Sequence, residues 1–197
     1  MRRNRGYKKE QGRYRDARKF ILAVEGEQRE VDYFQALAED QTRIDLTVLG
    51  PDERHLSAPR YVVERITKYL EEYDLDEDDQ VWLVLDTDRW STEQLREVER
   101  TCKDHGWNLA ISNPCFELWL YLHYADLPED PPSSSKEWKK ELSRRVATGY
   151  RPEEALHHLD EAIRRAEALE TDPNNAVPPP LQTTLYRIGK AIKPFLS

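Results

Sequence analysis

Five consecutive apolar residues, Phe20, Ile21, Leu22, Ala23 and Val24, constrain the fold of this chain more than any other feature. The run is too short for a helix and has no polar break, the pattern of a strand buried on both faces in a parallel sheet. Glu30, Val31, Phe34, Leu37 and Ala38 then recur at helical spacing, which predicts an amphipathic helix starting near Glu27. The alternation continues. Ile44, Leu46, Val48 and Leu49 form a second strand stopped by Gly50 and Pro51, and a helix over 58–73 carries Tyr61, Val62, Ile66, Tyr69 and Leu70 on one side. A third apolar strand spans 81–85, a helix over 92–104 has Ser91 as its N-cap, and a fourth strand spans 107–111. A fourth helix is expected over 114–124, with Asn113 suited to cap it and Pro114 to its first turn. The expectation is an α/β fold with a central parallel sheet of about four strands flanked by helices.

The pattern then changes. Residues 126–135 are rich in Pro and Ser, and beyond them only helical spacing is found, over 136–147, 152–169 and 181–195. A loop over 172–180 with four prolines interrupts the series, and no internal repeat is present. The chain divides into a basic flexible tail (1–18), an α/β domain (19–125) and a helical C-terminal extension packed on it (126–197).

The net charge of -8 conceals an asymmetry. Residues 1–20 hold nine Lys or Arg against two acids, so the tail is positive and the remainder strongly negative. Such a tail is either a solvated terminus or a polyanion-binding arm. Residues 74–79 are acidic at five of six positions and read as solvated surface. The two cysteines, Cys102 and Cys115, form neither a close zinc pair nor a disulfide framework, which points to a reducing compartment. No apolar run approaches bilayer-spanning length and no secretory pattern is seen, so a cytoplasmic location without membrane attachment is expected.

In an open parallel sheet, ligands bind beyond the carboxyl ends of the strands. Glu25 directly follows the first strand, Asp86 and Asp88 follow the third, and Ser112 and Asn113 follow the fourth. Three carboxylates gathered at one edge repel one another unless a cation compensates. Hard oxygen donors favour Mg²⁺ (or Mn²⁺) over zinc. In an extended segment Asp86 and Asp88 would point the same way, whereas the plainer reading makes these acids helix caps. Gly26 allows a tight turn or a close ligand approach. Glu27 and Glu30 suit the positive end of the first helix dipole. Glu117 is either a further acidic site residue or a dipole partner, and Asn113 caps the helix, orients a carboxylate, or does both. Phe116, Trp119, Leu120 and His123 make an apolar stripe expected in the core, and His157 and His158 are expected on the surface. No Gly-rich phosphate loop or Ser-His-Asp order is present.

Three blocks together resemble the RloB family. They are the segment from Glu25 through Arg29, Glu30 and Tyr33 to Phe34, the Asp86-Thr87-Asp88 pair, and the block from Ser112, Asn113 and Pro114 through Phe116, Glu117 and Trp119 to His123. That family carries an E-G-x-x-T-E-x-x-Y-F start, a D-x-D and an S-N-P-x-F-E-x-W-x-x-x-H block. Arg29 replaces the family's Thr, and Thr183, Leu185 and Ile188 match its C-terminal pattern only loosely. The resemblance implies a Toprim-like (Rossmann-like) fold. It also implies Mg²⁺-dependent phosphodiester hydrolysis, with Glu25 as general acid or base and Asp86 and Asp88 as metal ligands. Gly26, Asn113 and Glu117 would support that site, and Arg29 and Arg89 would meet nucleic acid. The implied setting is prokaryotic antiviral or abortive-infection defence beside a partner ATPase encoded by a neighbouring gene. The alternative is a non-catalytic subunit of a defence complex that binds nucleic acid or the ATPase. Its motive is the C-terminal third, which offers no catalytic candidate. An oligomer is compatible with either reading.

Overall fold

A computed structural model of the chain describes residues 17–39, 41–51, 56–146 and 149–196. Sixteen of the eighteen residues assigned to the basic tail lie outside that set. The elements follow one another as β1 (Arg18–Val24), α1 (Arg29–Ala38), β2 (Ile44–Leu49), α2 (Pro59–Glu72), β3 (Gln80–Asp86), α3 (Thr92–His105), β4 (Asn108–Asn113) and α4 (Phe116–Tyr124). The remainder comprises α5 (Ser135–Arg145), α6 (Pro152–Leu156), α7 (Leu159–Leu169), β5 (Gln182–Thr183), α8 (Tyr186–Ile192) and a 3₁₀ turn, Lys193–Phe195.

The sheet has five strands in the order β2-β1-β3-β4-β5. The first four are parallel, as their uninterrupted apolar stretches require, and β5 pairs antiparallel with the end of β4. The chain leaves β1 toward β2 on one side and reaches β3 on the other, so the order reverses between the carboxyl ends of β1 and β3. Such a reversal opens a crevice, because the connections on its two sides diverge.

Alternation along the strands divides the core. Ile21 and Ala23 of β1 and Leu83 and Leu85 of β3 pack with Val62 and Ile66 of α2 and Leu95, Val98 and Cys102 of α3. On the other face, Phe20, Leu22, Trp82 and Val84 meet Tyr33, Phe34 and Leu37 of α1 and the buried Phe116, Trp119 and Leu120 of α4. Helix α4 is buried nearly all round because α5 and α7 cover the side turned away from the sheet. Ser91 caps α3 through a reciprocal bond pair with Gln94, as its position before the helix suggests, and Gly106 closes that helix in the left-handed conformation.

Several local expectations differ. The C-terminal region is not wholly helical, since it contributes β5, which Ser112 Oγ and Thr183 Oγ1 fasten at 2.7 Å in the interior. The helical pattern over 152–169 breaks at the exposed His157 and His158, between α6 and α7. Asn113 does not cap α4. It is the last residue of β4, precedes a cis peptide bond to Pro114, and donates from Nδ2 to the Pro178 carbonyl at 2.9 Å. Cys115 remains extended, so the helix begins only at Phe116. The acidic stretch 74–79 is exposed for the most part, yet Asp79 accepts from the backbone N–H of Lys19 at 3.2 Å and so joins this turn to β1.

Candidate active site at the sheet crevice

The acids predicted from two strand ends, those of β1 and β3, share one pocket, which Ser112 and Asn113 at the end of β4 do not line. Glu25, Gly26 and Glu27 line it from the β1–α1 connection, Arg29 and Glu30 from the start of α1, and Asp86, Asp88 and Arg89 from the end of β3 and the turn after it. Ser57, Cys115, Glu117, Ser135 and Lys139 complete a space of about 500 Å³. It lies at the crevice between β1 and β3, where the sheet order reverses.

Backbone bonds hold the two strand ends in register. The Glu25 N–H donates to the Val84 carbonyl at 3.1 Å, and the Asp86 N–H donates to the Glu25 carboxylate at 3.1 Å. Arg65 of α2 donates to the Val24 carbonyl at 2.6 Å, immediately before Glu25. The Thr87 N–H reaches the carbonyls of Ser112 and Pro114 at 3.1 and 3.2 Å, which ties the turn after β3 to the end of β4. Asp88 lies in that turn rather than in an extension of the strand, so simple strand alternation does not orient it. Its carboxylate instead accepts a short hydrogen bond from Ser135 Oγ at the start of α5.

Burial raises the proton affinity of Asp86 and Glu25. Asp86 is pushed well above the usual carboxylate range, by desolvation first and then by Glu25 and Glu30, while the Phe116 N–H at the start of α4 opposes the shift. Glu25 is raised by burial, against the indole of Trp90, the Asp86 N–H and Arg89, which favour its charged form. The Trp90 Nε1 faces Glu25 without hydrogen-bond geometry.

Glu30 is a site residue that reading it as a dipole partner overlooked. Its carboxyl lies against Gly26, where a Cβ on residue 26 would collide with it, and burial together with Glu117 and Glu25 raises it to about 7. The absence of a side chain at Gly26 therefore makes room for Glu30. The signal was the second acid of the E-G-x-x-T-E pattern. Ser57, Ser135 and Lys139 were also missed; the last two belong to a helix distant in sequence whose docking no local pattern announces.

Glu117, buried on α4, accepts from Arg29 Nη1 at 2.8 Å and lies 3.8 Å from Lys139 Nζ. Arg29 is thus engaged with a pocket acid, and Arg89 is exposed at the rim. His123 does not line the pocket. Its Nδ1 faces the Trp119 carbonyl at 3.0 Å and must carry the proton, so Nε2 accepts from Tyr33 Oη at 3.1 Å. Burial lowers His123 to about 4 and keeps the ring neutral. Cys102 and Cys115 are buried free thiols, and burial raises Cys102 to about 12.

A model of the RloB-like protein family matches residues 20–192. The chain belongs to the RloB-like family. The match takes in every strand but the first two residues of β1 and continues through α8, so β5 and the C-terminal helices are family elements. No curated protein and no solved structure matches the chain.

The donor chemistry of the pocket suits a hard divalent cation, since its ligand candidates are carboxylate oxygens. Among the described residues, no three His, Cys, Asp or Glu side chains are grouped closely enough to hold a metal as they stand. Glu25 is turned to the Asp86 N–H and Asp88 to Ser135, so ligation by the three acids requires those two side chains to rotate. No helix among the described residues is long and apolar enough to cross a membrane.

Proposed function

We propose that this RloB-like protein is a metal-dependent nuclease of the Toprim-like kind, hydrolysing phosphodiesters at the crevice between β1 and β3. One observation carries the reading: Glu25, Asp86 and Asp88, separated by some sixty positions in sequence, line one pocket at the sheet reversal. Asp86 and Asp88, with Glu25, would hold Mg²⁺ or Mn²⁺ there. The bound ion would polarise a phosphoryl oxygen and offset charge that develops during hydrolysis.

The protein's own groups supply the rest. Glu25 is buried beside the strand ends, and its raised affinity for a proton suits it to take one from water or return one to the leaving oxygen. Asp86 is fixed at the last position of β3 and aimed at the start of α4. Ser135 orients Asp88. Glu30 and Glu117 enlarge the acidic lining, and Arg29 offsets part of it. The family resemblance supplies the proposed setting, antiviral defence in a prokaryote with an ATPase partner. The alternative of a non-catalytic subunit loses part of its motive, because α5 of the C-terminal region contributes two pocket residues.

Purified protein incubated with DNA and RNA in Mg²⁺ or Mn²⁺ tests the reading. Cleavage should fall by about 10²- to 10⁴-fold in Glu25→Gln and by at least as much in Asp86→Asn. Absence of metal-dependent cleavage, or cleavage that survives both substitutions, would refute it.

A further inference from the structure

An acidic pocket of this kind poses an electrostatic problem for a phosphodiester substrate. Six carboxylates line it, from Glu25, Glu27, Glu30, Asp86, Asp88 and Glu117, against three cations, Arg29, Arg89 and Lys139. One divalent ion offsets only two of these charges, so a phosphate also needs cationic side chains that can donate to its non-bridging oxygens. Arg29 is spent on Glu117 at 2.8 Å. At the start of α5, the Glu137 N–H is taken by the reciprocal cap between Ser134 and Glu137.

Lys139 differs. It lies one helical turn after Ser135 on α5, so the two project from the same face, and both line the pocket. Ser135 anchors that face to Asp88. The ammonium sits 3.8 Å from Glu117, longer than a close ion pair, and its side chain is 54% exposed. It therefore retains donors that can turn toward an incoming anion. Arg89, three residues after Asp86 in the turn that follows β3, supplies a second cation on the same pocket.

We propose that Lys139, with Arg89 on the same pocket, forms a phosphate-binding subsite that receives the non-bridging oxygens of a nucleic-acid phosphodiester. The C-terminal helix α5 thereby completes the pocket formed by the sheet. This inference deepens the nuclease reading and rests on it for the identity of the ligand. Lys139 is a substrate-binding residue in this account and moves no proton.

The full chain, wild type and with Lys139→Met or Lys139→Arg, should be compared on one labelled oligonucleotide by two readouts. Fluorescence anisotropy in Ca²⁺ measures binding over a salt series, and cleavage in Mg²⁺ measures KM and kcat. Loss of one phosphate contact lowers the slope of log Kd against log salt by about 0.7 to 0.9. Lys139→Met should show that decrease, with KM raised about tenfold and kcat within about threefold, while Lys139→Arg keeps most of the wild-type slope. Unchanged slope and KM in Lys139→Met, with cleavage still dependent on Glu25, would overturn the subsite and leave the nuclease reading intact. A Lys139-dependent slope without any Glu25-dependent cleavage would support the subsite and remove the nuclease. Absence of both binding and cleavage would overturn both. Equal melting temperatures of the three proteins exclude a folding defect, and if Lys139→Met is unstable, Lys139→Gln carries the same comparison.

Discussion

The carboxylate of Glu25 accepts a hydrogen bond from the backbone N–H of Asp86 at 3.1 Å, joining the last position of one central strand to the residue after its neighbour. The bond makes Glu25 both a structural tie and a pocket acid. These roles separate by substitution. Glu25→Gln keeps an acceptor for the Asp86 N–H and should leave stability within about 0.5 kcal/mol, whereas Glu25→Ala leaves that N–H unpaired and should cost about 1 to 3 kcal/mol. Urea unfolding of the two variants measures the difference, and both should lack cleavage.

Glu30 should give stability a distinctive dependence on pH. Its carboxyl titrates near 4.5 in an ordinary environment and is raised to about 7 in the fold. Between those values the folded protein binds more protons than the unfolded chain, so this contribution is complete below about pH 4.5 and is lost as pH rises through about 7. The raised Asp86 acts in the same direction. The urea midpoint of the metal-free protein should therefore decline from pH 5 to pH 8 more steeply than that of Glu30→Gln.

Gly26→Ala probes the same carboxyl by a steric route. The added Cβ would collide with Glu30, and the flexible end of that side chain can move aside, so the fold should persist with a loss of about 1 kcal/mol or less. Displacement of Glu30 into solvent should abolish the part of the pH dependence that centres near 7. Thermal melts at pH 5, 6, 7 and 8 read both effects.

Glu117 is 5% exposed and depends on Arg29 for its closest countercharge. Arg29→Met should destabilise the protein by about 1 to 3 kcal/mol because a buried carboxylate loses its principal partner. Adding Glu117→Gln should restore part of that loss, a coupling that a double-mutant cycle in urea measures.

Tyr33 and His123 lie outside the pocket but join α1 to α4 in the interior. Tyr33→Phe should cost about 1 kcal/mol by removing one buried hydrogen bond, with cleavage unchanged. Reduced cleavage at equal stability would place this pair in the functional machinery.

The central strands were legible because a strand covered on both faces needs unbroken apolar residues, and residues 20–24 and 81–85 offer little else. Their carboxyl ends followed directly, and with them the meeting of Glu25 and Asp86. Strand β5 was not legible. Gln182 and Thr183 are two polar residues after a proline-rich loop, and they pair because Thr183 and Thr184 bond to Ser112 and Ile111 of β4. Asn113 carried a sound local capping signal that lost to a tertiary bond with Pro178. Glu30 was assigned to the helix dipole because the helix was expected near Glu27; its true start at Arg29 leaves Glu30 in the first turn but turned beneath Gly26 into the pocket. Ser135 and Lys139 stand 47 and 51 positions beyond Asp88, and only the docking of α5 brings them there.

Titration of the full chain with Mn²⁺, followed by the electron paramagnetic resonance signal of the free ion, tests most directly whether these acids act as one centre. Wild type should bind the ion, and Asp86→Asn and Glu25→Gln should each weaken binding by about tenfold or more without loss of fold. Equal Mn²⁺ affinity in wild type and both variants, or no binding by wild type, would contradict the account.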